Sequence, residues 1–200
     1  MPSDPLVLAF DTSAAHCAAA LLCGETVLAE MHENMGRGQA ERLFPLLEDL
    51  LRAAGKGWSD LDRIGVGIGP GNFTGIRISV SAARGLALAL GIPAIGVNSF
   101  DAIEATATTT GTACVPGPRG QAYLRAPESG EPYLANAETL AGRAQDVPLL
   151  TPQPDLIALG IARVAASRPA VAHTPPAPLY IKPADAAPSR DAPPVILDDA

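Results

Sequence analysis

Aromatic residues, cysteines and clustered basic residues are all scarce in this chain of 200 residues. Phe, Trp and Tyr make up only 4% of the sequence, whereas hydrophobic residues make up 48%, so we expect a core of aliphatic side chains. Three cysteines without a CxxC spacing predict reduced, mostly buried thiols rather than a disulfide framework. A formal net charge of −7 argues against direct binding to a nucleic-acid backbone, which needs clustered Lys and Arg.

Signals for export and membrane insertion are not evident in the sequence. Asp4 and no basic residue precede the first apolar run, which is short. No apolar segment approaches the roughly 20 residues that a membrane-spanning helix needs. We therefore expect a cytoplasmic protein without a membrane partner.

The most informative segment is rich in glycine and reads GIGPGNFTGIR at positions 67–77. The apolar run before it predicts a buried strand over Arg63–Ile68, and the residues after it predict a long helix that ends near Leu90. Thr74 or Asn72 is the expected cap of this helix. A strand, a glycine turn and a helix N-terminus together accept anions, although this signal alone is weak.

The order of predicted elements indicates an α/β protein. Three strands joined by short turns predict antiparallel hairpins, and the later strands alternate with helices, which predicts parallel neighbours. The resulting βββαβαβα order is the layout of the ribonuclease-H-like fold, which actin, Hsp70 and sugar kinase ATPases share. We predict an N-terminal subdomain at 1–105, a shortened C-terminal subdomain at 106–182 and a Pro/Ala-rich mobile tail at 183–200.

The second half of the sequence is less regular. It predicts a hairpin around 113–126, a helix over Pro154–Ser167 and a last docked segment at Pro178–Lys182. A stretch that looks shortened, Asp146–Pro154, leaves the sheet of this subdomain in doubt.

Several motifs resemble the TsaB (YeaZ) family of tRNA threonylcarbamoyladenosine biosynthesis proteins. They are LAFDTS at 8–13, ERLFPL at 41–46 and the long block GIGPGNFTGIRISVSAARGLALALGIP at 67–93. The resemblance implies a non-catalytic subunit that pairs with the catalytic TsaD-like subunit through N-terminal helices, with a TsaE-like ATPase docking on the pair. It also implies a homodimer when the chain is alone, tRNA contacted only indirectly, and ATP bound only within the complex.

The residues themselves offer little independent chemistry. His16, His32 and His173 are far apart and show no HxxxH spacing, so no metal site is predicted. A nuclease needs several convergent carboxylates, but the fourth predicted strand, which should supply one besides Asp11, ends in Gly69-Pro70-Gly71 without an acid. No serine or cysteine lies in a recognisable order with a histidine, so no catalytic nucleophile is predicted.

Nucleotide binding is harder to dismiss, because an Asp-Thr-Ser turn resembles the first phosphate turn of the ATPases. A second phosphate turn of the Asp-x-Gly type is not found. The candidate nucleotide site, which could be vestigial, comprises Asp11, Thr12, Ser13, Gly69, Gly71, Thr74 and Gly75. The alternative function is therefore a stand-alone ATPase-like or peptidase-like enzyme of the same superfamily.

The two long helices of the first half carry more apolar residues than one core-facing stripe requires. Such a surplus predicts an interaction surface, although every one of these residues could instead be core. The candidates for a partner face are Leu43, Leu47, Leu50, Ile76, Val80 and Ala83. If they form that face, charged substitutions at Leu47 and Val80 abolish pairing and leave the monomer folded.

Overall fold

A computed structural model describes residues 4–127, 130–169 and 174–181 of the chain. The predicted tail at 183–200, together with Lys182 and His173, lies outside these residues. The described part contains two sheets and five α-helices, and helices pack on both faces of the first sheet.

The first sheet has five strands in the order β3-β2-β1-β4-β5. The hairpin strands β1, β2 and β3 pair antiparallel, whereas β4 and β5 pair parallel with β1 and β4 respectively. Helices α1, α2 and α3 follow β3, β4 and β5, which confirms the predicted βββαβαβα order. The bounds are β1 Leu6–Asp11, β2 His16–Cys23, β3 Thr26–Asn34, α1 Gln39–Ala53, β4 Arg63–Gly67, α2 Phe73–Leu90, β5 Ala94–Val97 and α3 Ser99–Glu104.

The second half forms a sheet of its own, in the order β8-β7-β6-β9. The predicted hairpin is confirmed as β6 and β7, which pair antiparallel. The sequence did not predict the other two strands, β8 and β9, or the helix α4. The stretch 146–154, which looks shortened, is still long enough to contain β9, a short strand parallel to β6. The bounds are β6 Thr112–Pro116, β7 Ala122–Arg125, β8 Tyr133–Ala135, α4 Ala137–Asp146, β9 Leu149–Leu150 and α5 Ile157–Ser167.

Side chains alternate between the two faces of the first sheet, and each face has its own apolar core. Leu8 and Phe10 of β1 face α1 and α2, where the leucines of α1 pack on them. Val7 and Ala9 face the opposite way and pack against α3 and α5. Because β1 is buried on both faces, it is apolar throughout until Asp11.

Helix α5 corrects the predicted division of the chain. The boundary at residue 105 assigns this helix to the second subdomain, yet α5 packs on β1, β2, β4 and β5 of the first sheet. Gly160 also lets α5 lie close to α3, because a Cβ there would overlap the carbonyl oxygen of Ala102. The Arg63 guanidinium donates to the carbonyl oxygens of Ala165, Ala166 and Arg168, which fixes the end of the helix.

The docked segment predicted at Pro178–Lys182 is present in its described part, residues 178–181. The amide of Leu179 donates to the carbonyl oxygen of Ile68, with 2.8 Å between the nitrogen and the oxygen. The ring of Tyr180 stacks on Phe73 at 5.3 Å between centroids, and its hydroxyl accepts from Arg77. The segment thus covers the end of β4 and the start of α2.

Helix α2 qualifies the expectation that no segment is long and apolar enough to cross a membrane. By length and composition alone its 18 residues pass that test. The helix carries Arg77 and Arg84, and its buried residues pack on the first sheet, which is typical of a helix in a folded domain.

Candidate functional site

The glycine turn between β4 and α2 packs directly on the Asp-Thr-Ser turn that follows β1. The Asn72 amide nitrogen donates to the Ser13 carbonyl oxygen, and the Thr12 hydroxyl donates to that of Gly75, at 2.6 and 2.7 Å. A side chain at Gly71 or Gly75 would collide with the backbone of this neighbouring turn. Glycine is therefore required here so that two backbone turns can touch.

The sequence predicted either Asn72 or Thr74 as the cap of α2, and the structure shows that it is Asn72. Its side-chain oxygen accepts from the amide of Gly75 at 3.0 Å. Thr74 lies inside the first turn of the helix and is exposed. Helix α3 is capped in the same way by Asn98, whose side-chain oxygen accepts from the Asp101 amide.

Asp11 is buried at the end of β1, where three groups converge on one of its carboxylate oxygens. Oδ2 accepts from the amide and the hydroxyl of Ser13 at 3.0 and 2.9 Å, and from Nε2 of His16 at 2.7 Å. The two bonds from Ser13 show that Asp11 stabilises the turn that follows it. His16 was not singled out as a site residue, because its contact with Asp11 depends on the pairing of β1 with β2.

A cavity of about 670 Å³ opens between the two sheets above these turns. Its floor includes Asp11, Ser13 and His16, and its walls come from the glycine turn, from β6 and from the chain before α5. None of the described residues that line it is Lys or Arg. A polyphosphate in this cavity would lie beside a carboxylate without a cationic side chain to balance its charge.

The predicted nucleotide-site residues divide into three groups in the structure. Asp11, Ser13 and Gly71 line the cavity, whereas Thr12 and Gly75 hold the two turns together beneath it. Gly69 and Thr74 are not among the lining residues. The structure therefore brings the two turns together, but only part of the predicted set faces the open space.

A second concave surface lies between α1 and α2 on the outside of the molecule. This α1–α2 groove is mainly apolar and has small residues on the α2 side. It is lined by Ala40, Leu43, Phe44, Phe73, Thr74, Arg77, Ile78, Ser81, Ala82 and Gly85. Phe44 and Phe73 are 43% and 46% exposed there, which is unusual for large apolar side chains in a chain that has so few aromatics.

The six predicted partner-face residues are corrected to core positions. The chain itself covers all of them, with at most 4% of any residue exposed, because they occupy the inward stripes of α1 and α2. They are Leu43, Leu47, Leu50, Ile76, Val80 and Ala83. The exposed apolar residues are their neighbours on the same helices, Phe44, Phe73 and Leu88.

Metal ligands do not cluster in the described part of the chain, where no group of three or more His, Cys, Asp or Glu could hold an ion. His16 and His32 do meet, with ring centroids 5.5 Å apart. Nδ1 of His32 lies 3.2 Å from a carboxylate oxygen of Asp155.

The five-stranded mixed sheet, the crossing helices and the cavity at its carboxyl edge define a protein of the ribonuclease-H-like, actin-type ATPase fold class. A family model described as "TsaD: tRNA N6-adenosine threonylcarbamoyltransferase" matches residues 26–147, more than half of the chain. The TsaB protein of Escherichia coli strain K12 is 38% identical over 94 residues, which cover 47% of this chain and 40% of that protein. The chain belongs to this family, and to its TsaB (YeaZ) branch.

Two solved structures resemble the chain. YeaZ from Pseudomonas aeruginosa is 33% identical with a TM-score of 0.56, over 66% of this chain and 65% of that one. A protein described as uncharacterized with similarity to peptidase YeaZ, from the same organism, is 25% identical with a TM-score of 0.65, over 89% of this chain and all of that one. The chain spans less than half the length of the curated TsaB relatives it matches.

Proposed function

We propose that this protein is a non-catalytic partner subunit in tRNA threonylcarbamoyladenosine synthesis, which pairs with a TsaD-like catalytic subunit. The names of its relatives place them in this biosynthesis. The observation that carries the proposal for this chain is the α1–α2 groove, where part of the apolar surface of α2 is left uncovered. Only five of the 18 residues of α2 are buried.

The shape of the groove supports a helix-on-helix contact. Ser81, Ala82 and Gly85 present little side-chain volume, so a partner helix can approach the α2 backbone closely. A Cβ built on Gly85 meets nothing within 4 Å, which shows that this side is open. Phe44 and Phe73 flank the groove and offer large apolar surfaces, and such side chains dominate many interfaces.

Pairing is tested with purified full-length chain and the TsaD-like protein of the same host. We expect Phe44→Asp and Phe73→Asp, both at residues that line the groove, to weaken co-purification by at least about tenfold, since an aspartate at an apolar contact removes burial and adds an unpaired charge. Lys56→Asp, a charge change at an exposed residue beyond α1, is the matched control and should pair normally. Normal pairing of both groove variants would contradict this interface.

Function is tested by reconstituting the tRNA modification with and without this chain. We expect the modification to require the chain and to fall in parallel with pairing in the Phe44→Asp variant. Equal modification without the chain would refute the subunit role. The TsaE-like ATPase enters the same assay as a third component, and ATP turnover by the pure chain alone would favour the alternative of a stand-alone enzyme.

A further inference from the structure

The last described segment of the chain, residues 174–181, ends against the rim of the α1–α2 groove. Tyr180 stacks on Phe73, with an angle of 30° between the two ring planes, and its hydroxyl oxygen lies 3.1 Å from Nε of Arg77. Phe73 and Arg77 both line the groove. Tyr180, which follows Arg77 by 103 positions in the sequence, therefore contacts the surface on which the partner is proposed to dock.

Residues on both sides of Tyr180 hold this segment in place. Pro176 is buried, and the Leu179 amide donates to the carbonyl oxygen of Ile68. Ile181 packs against the apolar core on the α5 side of the first sheet. Tyr180 itself is 43% exposed. The position of its ring is therefore set by its neighbours in the chain rather than by its own burial.

Phe73, Arg77 and Tyr180 form a closed set of contacts. The Arg77 guanidinium lies over the Phe73 ring, with its central carbon 3.9 Å from the ring centroid, and the same guanidinium donates to the hydroxyl of Tyr180. A large exposed side chain loses rotamer freedom when a partner covers it, and that loss opposes binding. Because these contacts form within the chain itself, part of the ordering of Phe73 precedes any contact with a partner.

We propose that Tyr180 is a positioning residue of the pairing surface, which holds Phe73 in the orientation that receives an apolar helix of the TsaD-like subunit. Tyr180 lies outside the residues that line the groove and acts through Phe73 and Arg77. This role rests on the proposed pairing function and adds a residue to it. The apolar pattern of α1 and α2 does not indicate Tyr180, because the contact forms only where the C-terminal segment returns to the start of α2.

The first experiment measures the dissociation constant between the full chain and the TsaD-like subunit of the same host by calorimetry. Tyr180→Ala should weaken pairing by about threefold to tenfold, because the partner must then order the Phe73 ring itself. Tyr180→Phe keeps the stacked ring and should pair within about twofold of the wild-type chain. Tyr133→Ala removes another exposed tyrosine, on β8 and outside the groove, and is the matched control that should pair normally.

The second experiment determines whether Tyr180 acts through Phe73. Tyr180→Ala is made in the wild-type chain and in the Phe73→Ala variant, and the dissociation constant is measured for each protein. We expect Tyr180→Ala to cost less than about twofold in affinity in the Phe73→Ala background, since the ring that it positions is absent there. An equal loss in both backgrounds would overturn the positioning role, because Tyr180 would then contact the partner directly.

A purely structural role of Tyr180 would lower the stability of the chain together with pairing. We expect the Tm of Tyr180→Ala to stay within about 3 °C of the wild-type value, because much of this side chain is exposed. In the same variant the NMR signals of the Phe73 ring protons should shift, since the neighbouring ring is removed. A larger fall in Tm, or unchanged Phe73 signals, would overturn the proposal.

The outcomes also separate this role from the pairing function itself. If Phe44→Asp loses pairing but Tyr180→Ala pairs like the wild-type chain, the groove remains the interface and the role of Tyr180 is overturned. Tighter pairing of Tyr180→Ala would overturn it as well, because the C-terminal segment would then obstruct the groove. If the wild-type chain does not pair with the TsaD-like subunit at all, the proposed function fails, and the role of Tyr180 fails with it.

Discussion

The helices that cover the two faces of the first sheet are themselves buried to different extents. On one face α5 buries seven of its 11 residues between the strands and α3. On the other face α2 buries five of its 18, although it is also apolar. The first face is therefore completed by the chain itself, whereas the second offers apolar surface that the chain leaves uncovered. Helices α2 and α5 are both apolar in composition, but a much larger fraction of α5 is buried.

The largest expected effect comes from placing a charge on the inward stripe of α1. Leu47→Asp should lower the free energy of unfolding by more than about 4 kcal/mol, because Leu47 is fully buried and the carboxylate has no partner there. The matched change Phe44→Asp, on the outward side of the same helix, should cost about 1 kcal/mol or less in the monomer. Denaturant unfolding followed by circular dichroism measures both, and similar losses would contradict the assignment of the two stripes.

A glycine-to-alanine pair compares the two apolar helices directly. Gly160→Ala in α5 should cost about 2–3 kcal/mol, because the new methyl group overlaps the backbone of Ala102. Gly85→Ala in α2 has open space around it and should stabilise the isolated chain by up to about 1 kcal/mol through helix propensity. Thermal unfolding of the isolated variants decides the comparison. If Gly160→Ala stabilised the chain as much as Gly85→Ala, α5 would be packed as loosely as α2.

The ion pairs between the second sheet and α3 should contribute less to the free energy of unfolding than the packing contacts above. Arg125 of β7 donates to Asp101 and Glu104 of α3 at 2.6 and 2.7 Å, and only 15% of its side chain is exposed. Arg125→Met should cost about 1–2 kcal/mol, since Asp101 keeps its bond from Arg168 while Glu104 turns to solvent. Arg52→Met, which removes an exposed pair with Asp49, should cost no more than about 0.5 kcal/mol.

The smallest expected effect concerns the charged rim of α1. Hydrogen bonding from Arg42 holds the pKa of Glu33 below its ordinary 4.5, and Arg52 does the same for Asp49, whose ordinary pKa is 3.8. Folding is therefore favoured above these values, and that contribution is lost as the pH falls through the lower pKa values of the folded state. We expect Arg42→Ala to reduce the drop in Tm between about pH 5 and pH 3. Arg37→Ala, at an exposed residue that forms no ion pair with the described residues, is the control and should leave the drop unchanged.

Most of the first half could be predicted from the sequence because its signals are local. The βββαβαβα order follows from alternating apolar runs and turns, and the cap at Asn72 follows from its position before an apolar helix. The apolar excess of α1 and α2 was also visible. Which of their residues face outward was not, because that depends on the phase in which each helix packs on the sheet.

The second half and the cavity depend on contacts between residues that are distant in the sequence. Strands β8 and β9 have only three and two residues, too few for a periodic signal. The role of α5 in the first sheet depends on a return of the chain that no local pattern encodes. The hydrogen bond between His16 and Asp11 could not be predicted either, because it forms only when β2 pairs with β1.

The meeting of Gly160 with Ala102 has a consequence for how this chain tolerates change in length. The chain leaves α3, forms the second sheet and returns in α5 to contact α3 again. The residues between Ala102 and Gly160 therefore form a long loop whose two ends are held together. The entropy cost of closing such a loop grows only slowly with the number of residues in it. We therefore expect insertions and deletions in this loop to cost little stability as long as the contact between Gly160 and Ala102 is kept.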